Sequence, residues 1–403
     1  MNNTVTQLKS LVLERADPGT DMGESELLRI IDETVCEYAH ANYTPVSMRQ
    51  KLRKNIYNSI RKLDILEDLL EDDTVTEIMI NGYDRIFVER KGCLEKCEKS
   101  FESRERLEDI IQQIASRANR RINESSPILD TRLESGARVN IVLSPISLDG
   151  SVVTIRKFYR TPLTMSRLIE TGGISQEMAD FLKTAVENKC NIFISGGTGA
   201  GKTTFLNILS EYIPGDERVI TIEDSAELQI KHISNLVRLE TRCKNIEGKN
   251  EIKIRDLIKT SLRMRPDRII IGEVRGEETI DLLQGLNTGH NGSLSTGHSN
   301  SASDMISRLE TMFLMGMDMS LSAVRMQIAS AIDIVVHLKR YREGARRVEE
   351  ISEVAGYSDG EVIMNTLFCY DSSSDTYVSC GQIKSKKLKE VYEKSVYINE
   401  ADT

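Results

Sequence analysis

Near the middle of this 403-residue chain lies ISGGTGAGKTTFLN, Ile194 to Asn207, with the spacing Gly196-x-x-x-x-Gly201-Lys202-Thr203. Gly196, Gly199 and Gly201 let the backbone wrap a phosphate with its N–H groups, and the start of the next helix adds its dipole. The cradle is formed by Gly196, Gly197, Thr198, Gly199, Ala200, Gly201, Lys202, Thr203 and Thr204. In such a cradle the lysine reaches the β- and γ-phosphates, and the hydroxyl at Thr203 serves Mg²⁺. A chance glycine-rich turn would lack the apolar strand before it and the amphipathic helix after it. Both are expected here, so the pattern reads as nucleotide binding. It does not say what hydrolysis would drive.

Two apolar runs end in carboxylates. TIEDSAEL closes on Glu223-Asp224, with Glu227 three residues further, and RPDRIIIGEVRG closes on Glu273. In an open parallel sheet, ligands sit at the carboxyl ends of the strands. One glutamate would orient or deprotonate the attacking water, and the other would hold Mg²⁺ through water. NTGHNGSLSTGHSNSA sets His290 and His298 on either side of a short strand. No cysteine or second close ligand accompanies them, which disfavours a metal. A γ-phosphate sensor or a contact to a neighbouring site fits better, and two hydrogen-bonded loop histidines are the bland alternative. Arg263, Arg265 and Arg275 bracket the Glu273 strand. Arg138 and Arg156 lie on separate strands of an earlier domain and matter only if that domain closes over the nucleotide.

The elements that must position these groups follow from periodicity. Residues 1–62 read as a helical region, with Leu27, Ile30, Ile31, Thr34 and Val35 on one stripe and Leu52, Ile56, Ile60 and Leu63 on a second. Residues 63–158 read as an α+β domain with an antiparallel sheet. TEIMIN and RIFVER are strands joined at GYD, residues 103–118 are a helix, and RVNIVL and SVVTIRKF are two more strands. Residues 159–175, with Pro162 and Gly172-Gly173, read as a linker. Residues 176–403 alternate strand and helix, which makes an α/β domain with a parallel sheet. NIFIS, RVITIED, RIIIGE and GSLST are its short strands, and EVIMNTLFCYD, TYVSCGQI and a basic helix close the chain.

Composition narrows the class. There are 53 Lys and Arg against 62 Asp and Glu, a formal charge of −9, which disfavours a surface built to hold nucleic acid. The 7 Cys are odd in number and scattered, and only Cys93 and Cys97 lie close together. That pattern reads as reduced thiols of the cytoplasm, not as a zinc ribbon. No apolar run approaches the ~20 residues of a membrane helix, so a soluble protein is expected, able to dock on a membrane protein.

The ordered set GGTGAGKTT, TIEDSAEL, LRMRPDRIIIGEVRG and TGHNGSLSTGHSNS resembles the secretion ATPase superfamily that powers type II and type IV secretion and type IV pili. There these are the phosphate loop, the aspartate box, the acidic strand motif and the histidine box. DDTVTEIMINGYDRIFVER, GARVNIVLSPISLDG and SVVTIRKF are most similar to the tight-adherence branch, the CpaF-like pilus ATPases. The resemblance implies a RecA-like P-loop ATPase domain behind a PAS-like domain. It also implies a homo-hexamer using ATP and Mg²⁺ at the cytoplasmic face of the inner membrane, peripheral to it and docked on a platform protein. Carried over, Lys202 and Thr203 bind phosphate and Mg²⁺, Glu223 is the catalytic carboxylate and Glu273 the metal-side one. His298 ends the histidine box, and Arg138 and Arg156 reach the nucleotide. Two departures stand out. The four-cysteine zinc module common in the type II assembly branch has no counterpart, and Gly297 stands where the family usually has a bulkier residue.

Two rival readings stand beside this one, the first with the same motor core and the second of a different class. A nucleic-acid translocase is opposed by the acidic charge, although KRYREGARR, residues 339–347, is a basic patch. That patch would otherwise dock on an acidic loop of a platform protein or simply be a solvated loop. A nucleotide-sensing scaffold that hardly hydrolyses ATP is opposed by Glu223 and Glu273.

Overall fold

A computed structural model of the chain describes residues 2–16, 23–90, 92–157, 163–242, 244, 249–341 and 344–401. Two compact units make it up, Met1–Arg160 and Thr161–Thr403.

The first unit opens with three helices, α1 (Asn2–Arg15), α2 (Glu24–Asn42) and α3 (Val46–Arg61). Their apolar stripes meet in a core of Leu8, Val12, Leu27, Ile31, Leu52 and Ile56. A short α4 (Leu66–Glu71) leads into β1 (Val75–Asn81), β2 (Ile86–Arg90) and β3 (Cys93–Lys96), followed by α5 (Arg104–Arg117), β4 (Ile128–Arg132), β5 (Arg138–Val142) and β6 (Val152–Arg156). The six strands form one sheet in the order β3-β2-β1-β6-β5-β4. Ser103 caps α5 by accepting from the Arg106 N–H. This helix packs Leu107, Ile110, Ile111 and Ile114 against Ile78, Ile80, Val139, Ile141, Val153 and Ile155 of the sheet. Alternation along a strand then turns Arg138 and Arg156 to the other face.

The second unit begins with α6 (Met165–Glu170) and α7 (Gln176–Glu187). Of the expected linker, 159–162 lie outside the described residues. The remainder is structured: Thr164 caps α6, and Met165 and Ile174 are buried in the core of this unit. Then come β7 (Ile192–Gly196), α8 (Lys202–Ser210), β8 (Arg218–Glu223), β9 (Asn235–Glu240), α9 (Ile254–Ser261), β10 (Arg268–Ile271), α10 (Glu278–Asn287), β11 (Leu294–Gly297), α11 (Ala302–Gly316) and α12 (Leu321–Ala331). β12 (Ile334–Arg340), β13 (Arg346–Ser358), β14 (Glu361–Asp371), β15 (Thr376–Ser379) and α13 (Lys386–Ala401) complete it.

The nine strands of this unit run in the order β15-β14-β13-β12-β7-β11-β10-β8-β9. From β12 to β9 every pairing is parallel, and β13 to β15 extend the sheet antiparallel from β12. Both faces are covered, so the central strands are apolar throughout. β7 sends Ile192 and Ile194 into one core with Leu182, Phe205 and Leu209, and Phe193 into the other with Leu283, Leu309 and Phe313. Among the described residues no helix is long and apolar enough to cross a membrane.

Candidate nucleotide-binding site

Parallel strands deliver their carboxyl ends to one edge of the sheet. The phosphate loop follows β7 there, Glu223 ends β8, Glu273 follows β10 and His298 follows β11.

Gly196, Gly199 and Gly201 have φ of 154°, 71° and 96°, values that a side chain disfavours. At Gly196 a Cβ would also come 2.5 Å from the Leu338 carbonyl oxygen. Gly201 is the N-cap of α8 and supplies no side-chain cap, so the first-turn N–H groups face the loop unoccupied by a cap. Lys202 is 8% exposed. Its Nζ donates to the carbonyl oxygens of Gly196 (3.0 Å) and Gly197 (3.1 Å) and lies 3.2 Å from His298 Nδ1. Thr203 and Thr204 follow, half-buried, in the first turn of α8, and Ala200 is buried beneath the loop. A cleft of about 480 Å³ beside the loop is lined by Gly197, Thr198, His298, Asp304, Arg308 and Thr311, among others.

The two glutamates occupy different environments. Glu223 is 2% exposed. Its Oε2 accepts from the Glu227 and Leu228 N–H groups at 2.6 and 2.9 Å, while Oε1 is buried without a hydrogen-bond partner among the described residues. Burial pushes its pKa up to about 7, against the pull of those two N–H groups. Gly272 makes room for it, because a Cβ there would lie 3.0 Å from Glu223 Cγ. Glu273 accepts from Arg275 Nη2 at 2.6 Å and lies 2.8 Å from His298 Nε2. Burial opposes its ionisation, but the Arg275 hydrogen bond and the charges of Arg275 and Lys202 outweigh that and hold the carboxyl below its usual range. Burial first, then the Lys202 ammonium, hold His298 below its ordinary pKa although Glu273 pulls the other way. A neutral ring with its proton on Nε2 suits both neighbours, since Lys202 has only donors to offer Nδ1.

Lys202, His298, Glu273 and Arg275 are therefore joined by direct contacts, and Glu223 stands on the adjacent strand. Within the second unit, His290 and Arg263 are placed elsewhere. His290 Nδ1 meets the Gly285 carbonyl oxygen at 3.2 Å, the bland loop reading. Arg263 is exposed and precedes β10. It is thus at the amino edge of the sheet, away from this chain's phosphate loop, because the two ends of a parallel strand open on opposite edges. In the first unit Arg138 and Arg156 are directly opposite each other across β5 and β6, and Arg132 is opposite Arg138 on β4.

Three residues near these groups carry no sequence motif. Arg132 is one, visible only once strand register is known. Asp304 and Arg308 on α11 are the others, and their i, i+4 spacing with Thr311 in the same helix gives one polar face toward the cleft. Ser195 Oγ lies 2.9 Å from His337 Nδ1, with Glu349 Oε2 3.7 Å from His337 Nε2. The trio has the form of a nucleophile relay, but Ser195 is 0% exposed, so no substrate reaches it.

The residues fit the groups that the phosphate loop calls for. The cradle and buried ammonium suit phosphate, the partnerless Glu223 oxygen suits a water, and the Thr203 hydroxyl and Glu273 carboxylate are the hard oxygen donors that Mg²⁺ takes.

The chain is 33% identical over 306 residues to the conjugal transfer protein TrbB of Rhizobium radiobacter, covering 74% of this chain and 91% of TrbB. It is 32% identical over 310 residues to the type IV secretion system protein PtlH of Bordetella pertussis, covering 71% and 91%. In fold it is similar to the ATPase DotB of Legionella pneumophila, with a TM-score of 0.51, 24% identity and coverage of 72% and 79%. The pilus retraction motor PilT, solved with bound ADP, gives a TM-score of 0.53 at 18% identity, with coverage of 84% and 88%. Both likenesses support a RecA-like fold preceded by an N-terminal domain. The family described as Type II/IV secretion system protein matches residues 59–397, and the chain belongs to it.

Proposed function

We propose that this chain is the ATP-hydrolysing motor subunit of a secretion or pilus-assembly machine, of the tight-adherence kind. The observation that carries the reading is the contact chain from Lys202 through His298 to Glu273, with the buried Glu223 one strand away. Lys202 and the loop N–H groups bind the phosphates. Thr203 and Glu273 hold Mg²⁺, which when bound neutralises charge on the transferring phosphoryl group. Glu223, titrating near neutral pH, takes the proton of the attacking water. His298, neutral and held between Lys202 and Glu273, reports on the γ-phosphate.

Family membership supports the wider assembly: a homo-hexamer on the cytoplasmic face of the membrane, docked on an inner-membrane platform protein. Arg138 and Arg156 complete the site from the first domain. The TrbB likeness favours a second reading, the same motor working in a conjugal transfer apparatus. DNA that stimulates turnover to saturation would select it.

The test uses purified protein. Glu223→Gln should retain ATP on a filter or fluorescence assay and release no phosphate, while the wild-type protein turns over. Wild-type protein that binds ATP without releasing phosphate would leave the sensing scaffold as the better description.

A further inference from the structure

The basic patch at residues 339–347 lies beside the phosphate loop. β12 pairs with β7 in parallel, with Leu338 opposite Gly196, so the β12–β13 hairpin emerges next to the cradle. The Arg346 Nε donates to the Gly199 carbonyl oxygen at 2.9 Å. An Arg340 Nη1 lies 3.5 Å from where a Cβ on Gly199 would stand. Arg342 of the patch lies outside the described residues.

The other described basic residues of the patch are already neutralised. Lys339 pairs with Glu349, and Arg347 pairs with Asp375 at 3.0 Å and lies over the Tyr370 ring. Arg340 and Arg346 have no carboxylate partner among the described residues. They are directly opposite each other across the hairpin, where like charges repel. In sheet order β12 lies on one side of β7 and β11 on the other. The two arginines thus flank the cradle on the side away from His298 and Glu273.

We propose that Arg340 and Arg346 form a second cationic bank of the nucleotide site and hold the phosphate chain of the bound nucleotide; this rests on the reading of the site given above. A phosphate anion between them relieves their mutual repulsion and accepts charge-assisted hydrogen bonds from two guanidinium groups. The hairpin then senses occupancy of the site through its own side chains.

The experiment is a titration with a fluorescent N-methylanthraniloyl ADP, at low and high salt, of wild type, Lys202→Ala, Arg340→Gln, Arg346→Gln and Arg346→Lys. Thermal melting of each nucleotide-free protein serves as the folding control. Each Gln variant should raise the Kd about tenfold and flatten its salt dependence, and Arg346→Lys should recover much of the loss. Gln at 346 keeps a donor for the Gly199 oxygen. Full affinity in Arg346→Gln would therefore make that residue a brace for the loop and overturn its role as a ligand. Unchanged affinity in both Gln variants, with Lys202→Ala weakened, would overturn the proposal and leave the site reading intact. A wild-type protein that binds no nucleotide would remove both.

Discussion

Glu223 and Glu273 are the same side chain on neighbouring strand ends, and their surroundings separate them. Glu223 keeps its proton to about pH 7 because it is buried, whereas Glu273 is held ionised by Arg275 and its other cationic neighbours. The first consequence is a pH-dependent stability. The folded-state pKa of Glu223 lies above the ordinary value of 4.5, so folding favours the protonated form. Its penalty is absent below about pH 4.5, grows as pH rises to about 7 and is complete above that, on the order of 3 kcal/mol at most. Glu223→Gln should melt higher than wild type at pH 8, with the difference vanishing near pH 4. A melting difference independent of pH would contradict the raised pKa. The second consequence is a separation of roles. Glu273→Gln should need more Mg²⁺ for half-maximal turnover, and Glu223→Gln should remain inactive at any Mg²⁺ concentration. Equal recovery of both at high Mg²⁺ would count against the assignment.

At the scale of elements, the strands that end in chemistry were readable because each is a short apolar run closed by an acid or a glycine. RVITIE, RIII and LSTG appear as β8, β10 and β11, each with its site residue at the carboxyl end. The sheet order was not readable, since parallel neighbours are joined through distant segments. Arg346 and Gly199 are 147 residues apart, and no local pattern links a hairpin to a phosphate loop. β12 follows α12 after only Ile332 and Asp333, too short a break to announce a new element. Gly297, the departure in the histidine box, has a packing cause. A Cβ there would come 2.9 Å from Phe193 and 3.0 Å from Met305, so those two side chains fill the space a bulkier residue would take. Gly297→Ala should therefore cost about 1–3 kcal/mol in urea unfolding. At the opposite edge Arg268, 0% exposed, donates to both carboxylate oxygens of Glu217 at 2.5 and 3.1 Å and to the Val186 carbonyl oxygen. Glu217→Gln leaves that guanidinium without its counter-charge, and a loss of about 3–5 kcal/mol is expected in the same assay. A loss under about 1 kcal/mol would show that the pair is not needed to organise the amino ends.

For the whole molecule, the question is how the first unit serves the motor. Arg132, Arg138 and Arg156 stand side by side on successive strands. In the proposed ring they would meet the nucleotide on domain closure. Arg138→Ala and Arg156→Ala should then bind ATP but turn over roughly 10³-fold more slowly, as loss of an arginine finger does. Turnover per subunit should also rise with protein concentration as rings form. Mixing inactive Lys202→Ala subunits into wild type should lower activity more steeply than the fraction of dead subunits, and a strictly linear loss would mean that subunits work independently. All of this depends on the phosphate loop being the engine. The most direct measurement is steady-state phosphate release from ATP by the purified wild-type protein beside Lys202→Ala, both checked for fold by circular dichroism. Turnover in the wild type and none in the variant is the predicted result, and equal turnover in the two would contradict it.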